Sequence, residues 1–242
     1  MFYSRSVTRA LTLRVARCRL AAVVRRGFCD GLTSLLRRTG PWKPMKSQFE
    51  FFDSDDIGPR RGPTFPEGFR YRPELITASD EAALLDRVRE LPFRDFEFHG
   101  YTGKRRVVSF GWHYDFSARR LDRVDDIPAF LRELRAPAGE FAELDPNALQ
   151  HVLVTEYGPG AAIGWHRDKA VFGEVVGLSL LAPCMFRLRR AIGDREWERV
   201  NLVAEPRSAY LLSGPARTTW EHSIPPVTSL RYSITFRNVR EG

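Results

Sequence analysis

The sequence predicts a mainly β domain with flanking helices, an α+β chain whose strands build a sandwich or barrel, not a doubly wound sheet. Three observations carry that expectation. Apolar residues recur at helical spacing over TASDEAALLDRVREL (77–91) and again over IPAFLRELRA (127–136). After residue 147 the apolar period drops from 3.6 to 2, and seven short β-rich runs follow one another. Turn formers (GPG, AIGD, SGPA, PPVTS) separate those runs, as in an all-β core.

The elements follow in order along the chain. Residues 1–49 carry eleven Lys/Arg and one acid, Asp30, a net +10, while residues 50–242 carry twenty-seven Lys/Arg against twenty-nine acids, a net −2. The overall charge of +8 is therefore a property of the leader, and any nucleic-acid contact by the main domain must come from a local patch. The leader is Arg-rich, Ser-bearing and nearly free of acids, the composition of an organelle transit peptide. A disordered basic tail and a start codon placed too far upstream remain the alternatives. Pro, Gly and charge dominate 41–69, which sets a linker over 50–65, with one aromatic patch (FEFF), and a folded domain over 66–240.

The first helix has Thr77 or Ser79 as its cap, acids in its first turn, and Leu84, Leu85, Val88 and Leu91 on one face. The second places a proline in its first turn, where no N–H is required. The strands are expected in ALQHVLVTEY, EVVGLSLLAP, CMFRLRR, WERVNLVA, SAYLLSG, TTWEHSI and LRYSITFRN. No repeat of 20–50 residues is visible. No apolar run reaches the roughly 18–20 residues that span a bilayer. Cys18, Cys29 and Cys184 form no disulfide framework or CxxC pair, which suits a reducing compartment such as the cytoplasm, with organelle targeting by the leader as the alternative. A monomer is expected.

Two stretches nearly repeat: GWHYD at 111–115 and GWHRD at 164–168. On an extended strand a His and an Asp two apart point to the same side. They can then supply two ligands of a 2-His-1-carboxylate triad for Fe(II), whose opposite face stays open. A third ligand must come from elsewhere. Only His166 and Asp168 are followed at short range by another histidine, His222 in TTWEHSIPP, and then by LRYSITFR. On that last strand Arg231, Ser233, Thr235 and Arg237 share one face and Leu230, Tyr232, Ile234 and Phe236 the other. A buried arginine face calls for an anion, and a dicarboxylate held by a guanidinium fork would be one.

The order His-x-Asp, His, Arg-x5-Arg resembles the AlkB family of Fe(II)/2-oxoglutarate-dependent dioxygenases. VTEYGPGAAIGWHRDK (154–169), VVGLSLLAPCMFRL (175–188) and SAYLLSGPARTTWEHSI (208–224) look like the family's successive segments, and the likeness covers about 66–240. The resemblance implies a double-stranded β-helix (jelly-roll) core, with His166, Asp168 and His222 as iron ligands. It implies a cosubstrate, 2-oxoglutarate, paired with Arg231 and helped by Tyr157, Thr155 and Ser233, with Arg237 the second arginine of the motif. It also implies oxidation by O2 of an N-linked methyl group, releasing succinate, CO2 and formaldehyde, on methylated nucleic acid or methylated protein. A jelly roll that binds without turnover is the contrasting reading. The chain departs from the best-known members at Thr155 and Ser233, where they often have Asn. It also departs at Ala170, where the DNA-repair prototype has an acid that helps hold the damaged base.

The first stretch falls in what the resemblance makes the substrate region, beside the basic cluster Lys104, Arg105 and Arg106. Tyr101, Phe110, Trp112, Tyr114 and Phe116 offer stacking surfaces there. Trp112, His113, Asp115, Trp165 and Trp220 complete the expected substrate region, against the alternative of a solvated basic turn beside an ordinary aromatic strand. Other signals are weaker. GPGAAIG (158–164) is GxGxxxG with no helix opening after it, so a dinucleotide fold is not indicated. Cys184 reads as a small core residue, and His99 and His151 as ordinary satisfied histidines.

Overall fold

The structure, a computed structural model, describes residues 64–98 and 101–240. The leader, FEFF, Cys18, Cys29 and His99 lie outside the described residues, as does the side chain of Tyr101. In chain order the elements are β1 (Phe69–Arg72), α1 (Ala78–Arg89), β2 (Arg94–Phe98), β3 (Tyr101–Phe110), β4 (Trp112–Asp115) and β5 (Arg120–Arg123). Then come α2 (Ala129–Arg132), α3 (Arg135–Ala142), β6 (His151–Tyr157), β7 (Ile163–His166), β8 (Phe172–Leu180), β9 (Cys184–Ala191) and β10 (Trp197–Ala204). β11 (Ala209–Leu212), α4 (Gly214–Thr218), β12 (Glu221–Ile224) and β13 (Arg231–Val239) complete the fold. Among the described residues no helix is long and apolar enough to cross a membrane.

Seven strands form one antiparallel sheet in the order β1-β11-β8-β13-β6-β3-β2, and four form a second in the order β10-β9-β12-β7. Each expected strand after residue 147 is present. The large sheet is covered on both faces, which explains the almost unbroken burial of β8 and β13. Val152 and Val154, Val176, Leu178 and Leu180, and Tyr232, Ile234 and Phe236 face the helices, packing with Leu84, Leu85, Val88, Leu131 and Ala138. The opposite face meets the smaller sheet through Tyr157, Val175, Leu212, Phe186, Leu188 and Ile224. Antiparallel sheets meeting in this way are the jelly-roll architecture that the resemblance implies.

Local chemistry accounts for the helices. Thr77 caps α1 in a capping box: its hydroxyl accepts from Asp80 N, and the Asp80 carboxylate accepts from Thr77 N, both at 3.1 Å. The second expected helix is two. A continuous helix through Pro137 would drive its ring into the carbonyl of Glu133. The chain instead turns at 133–134 and starts α3 at Arg135, where Pro137 falls in the first turn. SGPA, expected as a turn, begins α4.

Gly177 on β8 lies opposite Tyr210 of β11. A Cβ there would come within 2.2 Å of Tyr210 Cζ, and the ring cannot retreat freely because it packs on Phe186 at 4.4 Å between centroids. Gly177→Ala is expected to lower the free energy of unfolding by about 1–3 kcal/mol through overpacking. Denaturant unfolding of the variant against the parent checks this, and an unchanged midpoint refutes it.

Candidate metal and cosubstrate site

Strand alternation builds the floor of the site. On β13 the face opposite Tyr232, Ile234 and Phe236 carries Arg231, Ser233, Thr235 and Arg237, all buried. Their β6 partners in register are Tyr157, Thr155, Leu153 and His151. On the other side β8 sets Ser179 against Ser233 and Val175 against Arg237. A polar column thus runs between the sheets, on the wall of a cleft of about 1550 Å³.

β12 and β7 bring the second wall. His222 is paired directly with His166, and their rings lie 4.2 Å apart, centroid to centroid. β7 ends at His166, so Asp168 is not on the strand with it but two residues further, in the loop before β8. One potential ligand atom from each of His166, Asp168 and His222 lies within 4.8 Å of the others. His166 Nδ1 is 2.9 Å from Gly164 O, which makes Nδ1 the protonated nitrogen and leaves the Nε2 lone pair free.

Buried Arg217 of α4 fixes the loop that carries Asp168. It donates to the carbonyls of Gly173 (2.9 Å), Lys169 (2.6 Å) and Phe172 (2.8 Å). Arg237 fixes the carboxylate itself, with Nε 2.9 Å and Nη2 2.7 Å from Oδ1. Oδ2 is left buried with no hydrogen-bond partner, 3.6 Å from His222 Nε2. Burial pushes the Asp168 carboxyl up, but Arg237, with smaller contributions from His222, His166 and Arg217, holds it below the ordinary carboxylate range. Burial, then His166 beside it, pushes the His222 imidazole down to about 3. Two imidazoles and one ionised carboxylate with an unpaired oxygen are a donor set that suits Fe(II).

Arg231 lies at the other end of the column. It is 1% exposed. Its Nη2 donates to Ser179 Oγ at 3.0 Å, and its Cζ is 4.7 Å from the Tyr157 ring centroid. Nε and Nη1 have no partner. A buried guanidinium with two unused N–H groups fits one end of a dicarboxylate. Thr155, Tyr157 and Ser233 line the cleft beside it.

The two arginines therefore serve different ends of the column. Six residues at about 3.3 Å each separate them along a strand by about 20 Å. Arg237, expected at the cosubstrate, is engaged by Asp168, and its Nη1 lies 3.3 Å from His151 Nδ1. His151, expected to be an ordinary histidine, is buried in that contact, its imidazole pushed well below its usual value by burial and by Arg237. The sequence reading also passed over Tyr210, whose phenol lines the cleft and is pushed up by burial. Arg217 and Ser179 went unnoticed too; alternation on SAYLLSG and VVGLSLL placed Tyr210 and Ser179 on an inner face, but nothing local marked their partners.

The expected substrate region divides. Arg105, His113, Asp115 and Trp165 line the cleft, with Tyr114, Phe116 and Lys169. Lys104 and Arg106 flank Arg105 on β3 and so point to the other face; Arg106 pairs with Glu156 at 2.7 Å. Trp112 does not line the cleft and lies instead on the other side of the β4–β5 hairpin. Trp220 is 3% exposed and belongs to the core between the sheets. Gly111 at the head of GWHYD has φ +75°, and a Cβ there would meet Gln150 O at 2.1 Å, whereas a Cβ at Gly164 would meet nothing. The first glycine turns β3 into β4, a requirement the second does not share.

Two histidines and a carboxylate in a jelly-roll cleft, with a buried arginine carrying two unpartnered donor nitrogens at the far end of the polar column, suit an Fe(II)/2-oxoglutarate oxygenase. A profile of the 2OG-Fe(II) oxygenase superfamily matches residues 68–237, and the chain belongs to that superfamily. Within it the chain is AlkB-like. It is 28% identical over 203 residues to the "Alkylated DNA repair protein ALKBH8 homolog" of Arabidopsis thaliana, covering 69% of this chain and 57% of that one. It is 30% identical over 156 residues to "Alpha-ketoglutarate-dependent dioxygenase alkB homolog 7, mitochondrial" of Bos taurus, covering 62% and 63%. Among solved structures, "The structure of OsALKBH1" shares the fold, with a TM-score of 0.55 at 17% identity, covering 73% of this chain and 99% of that one. The chain spans 57% of the Arabidopsis relative and 24% of the mouse relative "tRNA (carboxymethyluridine(34)-5-O)-methyltransferase ALKBH8". The superfamily uses Fe(II), 2-oxoglutarate and O2, and this chain carries an oxidoreductase domain of that dioxygenase kind.

Proposed function

We propose that the protein oxidatively removes N-linked methyl groups from nucleic acid, releasing succinate, CO2 and formaldehyde. The observation that carries this reading is the rim of the cleft, where flat rings and cations alternate. Arg105 lies 3.7 Å from the Phe96 ring centroid, and Lys169 lies 5.3 Å and 5.2 Å from those of Tyr114 and Phe116. Trp165 also lines the cleft, held from outside it by Arg187 and Arg189 at 4.9 Å and 4.4 Å from its ring. Rings that stack a base beside cations that meet its phosphates suit a single-stranded or flipped-out nucleotide.

In this reading His166, Asp168 and His222 hold iron and Arg231 takes the distal carboxylate of 2-oxoglutarate, with Tyr157, Thr155 and Ser233 beside it. Bound together, these groups activate O2 for oxidation of the methyl carbon. The chain's own part is orientation. Arg217 and Arg237 hold Asp168 with Oδ2 free, Gly164 O sets the His166 tautomer, and the rim aligns the methyl group. A second reading, oxidation of a protein side chain, is favoured by exposed Ala170, which leaves the position two beyond Asp168 without an acid to hold a base.

Screening N-methylated oligonucleotides and N-methylated peptides for formaldehyde release tests both readings. Release from oligonucleotides supports the first, and release confined to peptides replaces it with the second. The GWHYD hairpin gives a sharper expectation. His113→Ala is expected to leave iron content and substrate-independent succinate formation near wild type and to lower coupled turnover, because alignment is what it removes. Asp115→Ala is expected to act alike by loosening the turn, since Asp115 Oδ1 accepts from Ser117 N at 2.7 Å and Ala118 N at 2.8 Å. Iron lost from His113→Ala but kept by His166→Ala would reverse the assignment of the two motifs.

A further inference from the structure

The β4–β5 hairpin has a second cavity against its other side. It measures about 280 Å³ and is lined by Trp112, Arg123, Asp126, Arg132, Arg135 and Gln150, with apolar closure from Ile127. Three guanidiniums thus face one carboxylate. None of the four charged groups enters any ion pair among the described residues. Two polar atoms in the lining are buried without a partner, Trp112 Nε1 and Arg135 Nε. Both are donors that can never accept, so what the cavity lacks is an acceptor. Burying such donors unpaired costs free energy, and excess positive charge beside them directs the choice of acceptor to an anion. A guanidinium fork matches the tetrahedral oxygens of phosphate, and several converging forks exceed what one planar carboxylate can use.

We propose that this cavity is a phosphate-group binding site, separate from the catalytic cleft. Arg123 lines both spaces and its guanidinium stacks over Trp112 at 4.9 Å, so the site lies directly behind the wall that bears His113. Its phosphate comes either from the backbone of a strand whose methylated residue occupies the cleft or from a free phosphate ion.

The full-length protein is titrated with inorganic phosphate at constant ionic strength while the indole N–H resonance of Trp112, assigned with Trp112→Phe, is followed by nuclear magnetic resonance. A saturable shift is expected. Arg135→Gln and Arg132→Gln should each weaken it about ten-fold, in line with the loss of one charge-assisted bond. Arg199→Gln, on the exposed strand β10, should leave it unchanged and so controls for general charge. A short unmethylated oligonucleotide that shifts the same resonance identifies the backbone as the source, and a response to inorganic phosphate alone identifies the free ion. A resonance that ignores phosphate, follows acetate equally well, or moves undiminished in both arginine variants overturns the proposal. The readout needs neither iron nor turnover, so its failure is distinct from failure of the demethylation reading.

Discussion

His222→Ala is expected to yield a folded protein that retains little iron and converts no 2-oxoglutarate to succinate, and His166→Ala the same. Losing a group that merely supports a metal ligand weakens metal binding by about 10–100-fold, and losing one of three protein ligands exceeds that. The folds should survive for different reasons. His166 is only partly buried, and removing its ring frees little more than the Gly164 carbonyl. His222 is buried and stacks on Phe186 at 5.6 Å between centroids, so its loss leaves a small cavity that is felt in stability but does not unfold the sheet. Asp168 needs a gentler change. Its truncation strands the Arg237 guanidinium without its carboxylate, and breaking a buried pair costs about 3–5 kcal/mol. Asp168→Asn keeps the shape and an oxygen acceptor, so iron loss in that variant reports on the ligand and not on unfolding. Metal analysis and succinate formation, with circular dichroism as the control for folding, check all three. Full activity in any one of them removes that residue from the site.

The strands after residue 147 were legible because one face of each alternates apolar residues into a core, against the helices in β6, β8 and β13 and against the large sheet in β9, β10 and β12, and that signal survives in a single sequence. LRYSITFRN was the clearest case: its polar face is the floor of the cleft. The strands β2 to β5 are not separable in the sequence, because charged and aromatic residues mix along them and no period dominates. The split between α2 and α3 follows from Pro137 and was readable in principle.

Within the candidate site, the residues that sit in a motif were legible and those that act through register were not. Ser233 shares a face with Arg231 whatever the partner strand does, whereas Thr155 and Tyr157 came with the family motif and meet the two through the β6 register. That Arg237 meets Asp168 and His151, or that Arg217 ties down the loop at 169–173, depends on which strands and loops become neighbours across the sheets. The alternation rule sorts the basic cluster on β3, where Arg105 lines the cleft and Lys104 and Arg106 do not, but it does not sort β4, where Tyr114 lines the cleft together with His113 and Asp115.

Arg231→Ala separates the cosubstrate from the metal, which makes it the complement of the ligand variants. The guanidinium is buried, spends one N–H on Ser179 and leaves Nε and Nη1 unpaired. A carboxylate that takes those two donors gains charge-assisted hydrogen bonds worth about 1.5–3 kcal/mol, which is about one to two powers of ten in affinity. The expected result is a rise of that size in KM for 2-oxoglutarate, with iron content unchanged because Arg231 and the triad lie at opposite ends of the column. Arg231→Lys should recover only part of the loss: an ammonium supplies charge but not two parallel donors. The lysine variant also guards against a trivial cause, since it fills most of the cavity that Arg231→Ala opens beside Tyr157 and Cys184. Direct titration of 2-oxoglutarate into both variants, alongside KM, distinguishes lost affinity from a slower chemical step. An unchanged KM in Arg231→Ala, with iron retained, would place the dicarboxylate away from this end of the polar column and leave the two free donors of Arg231 without a ligand.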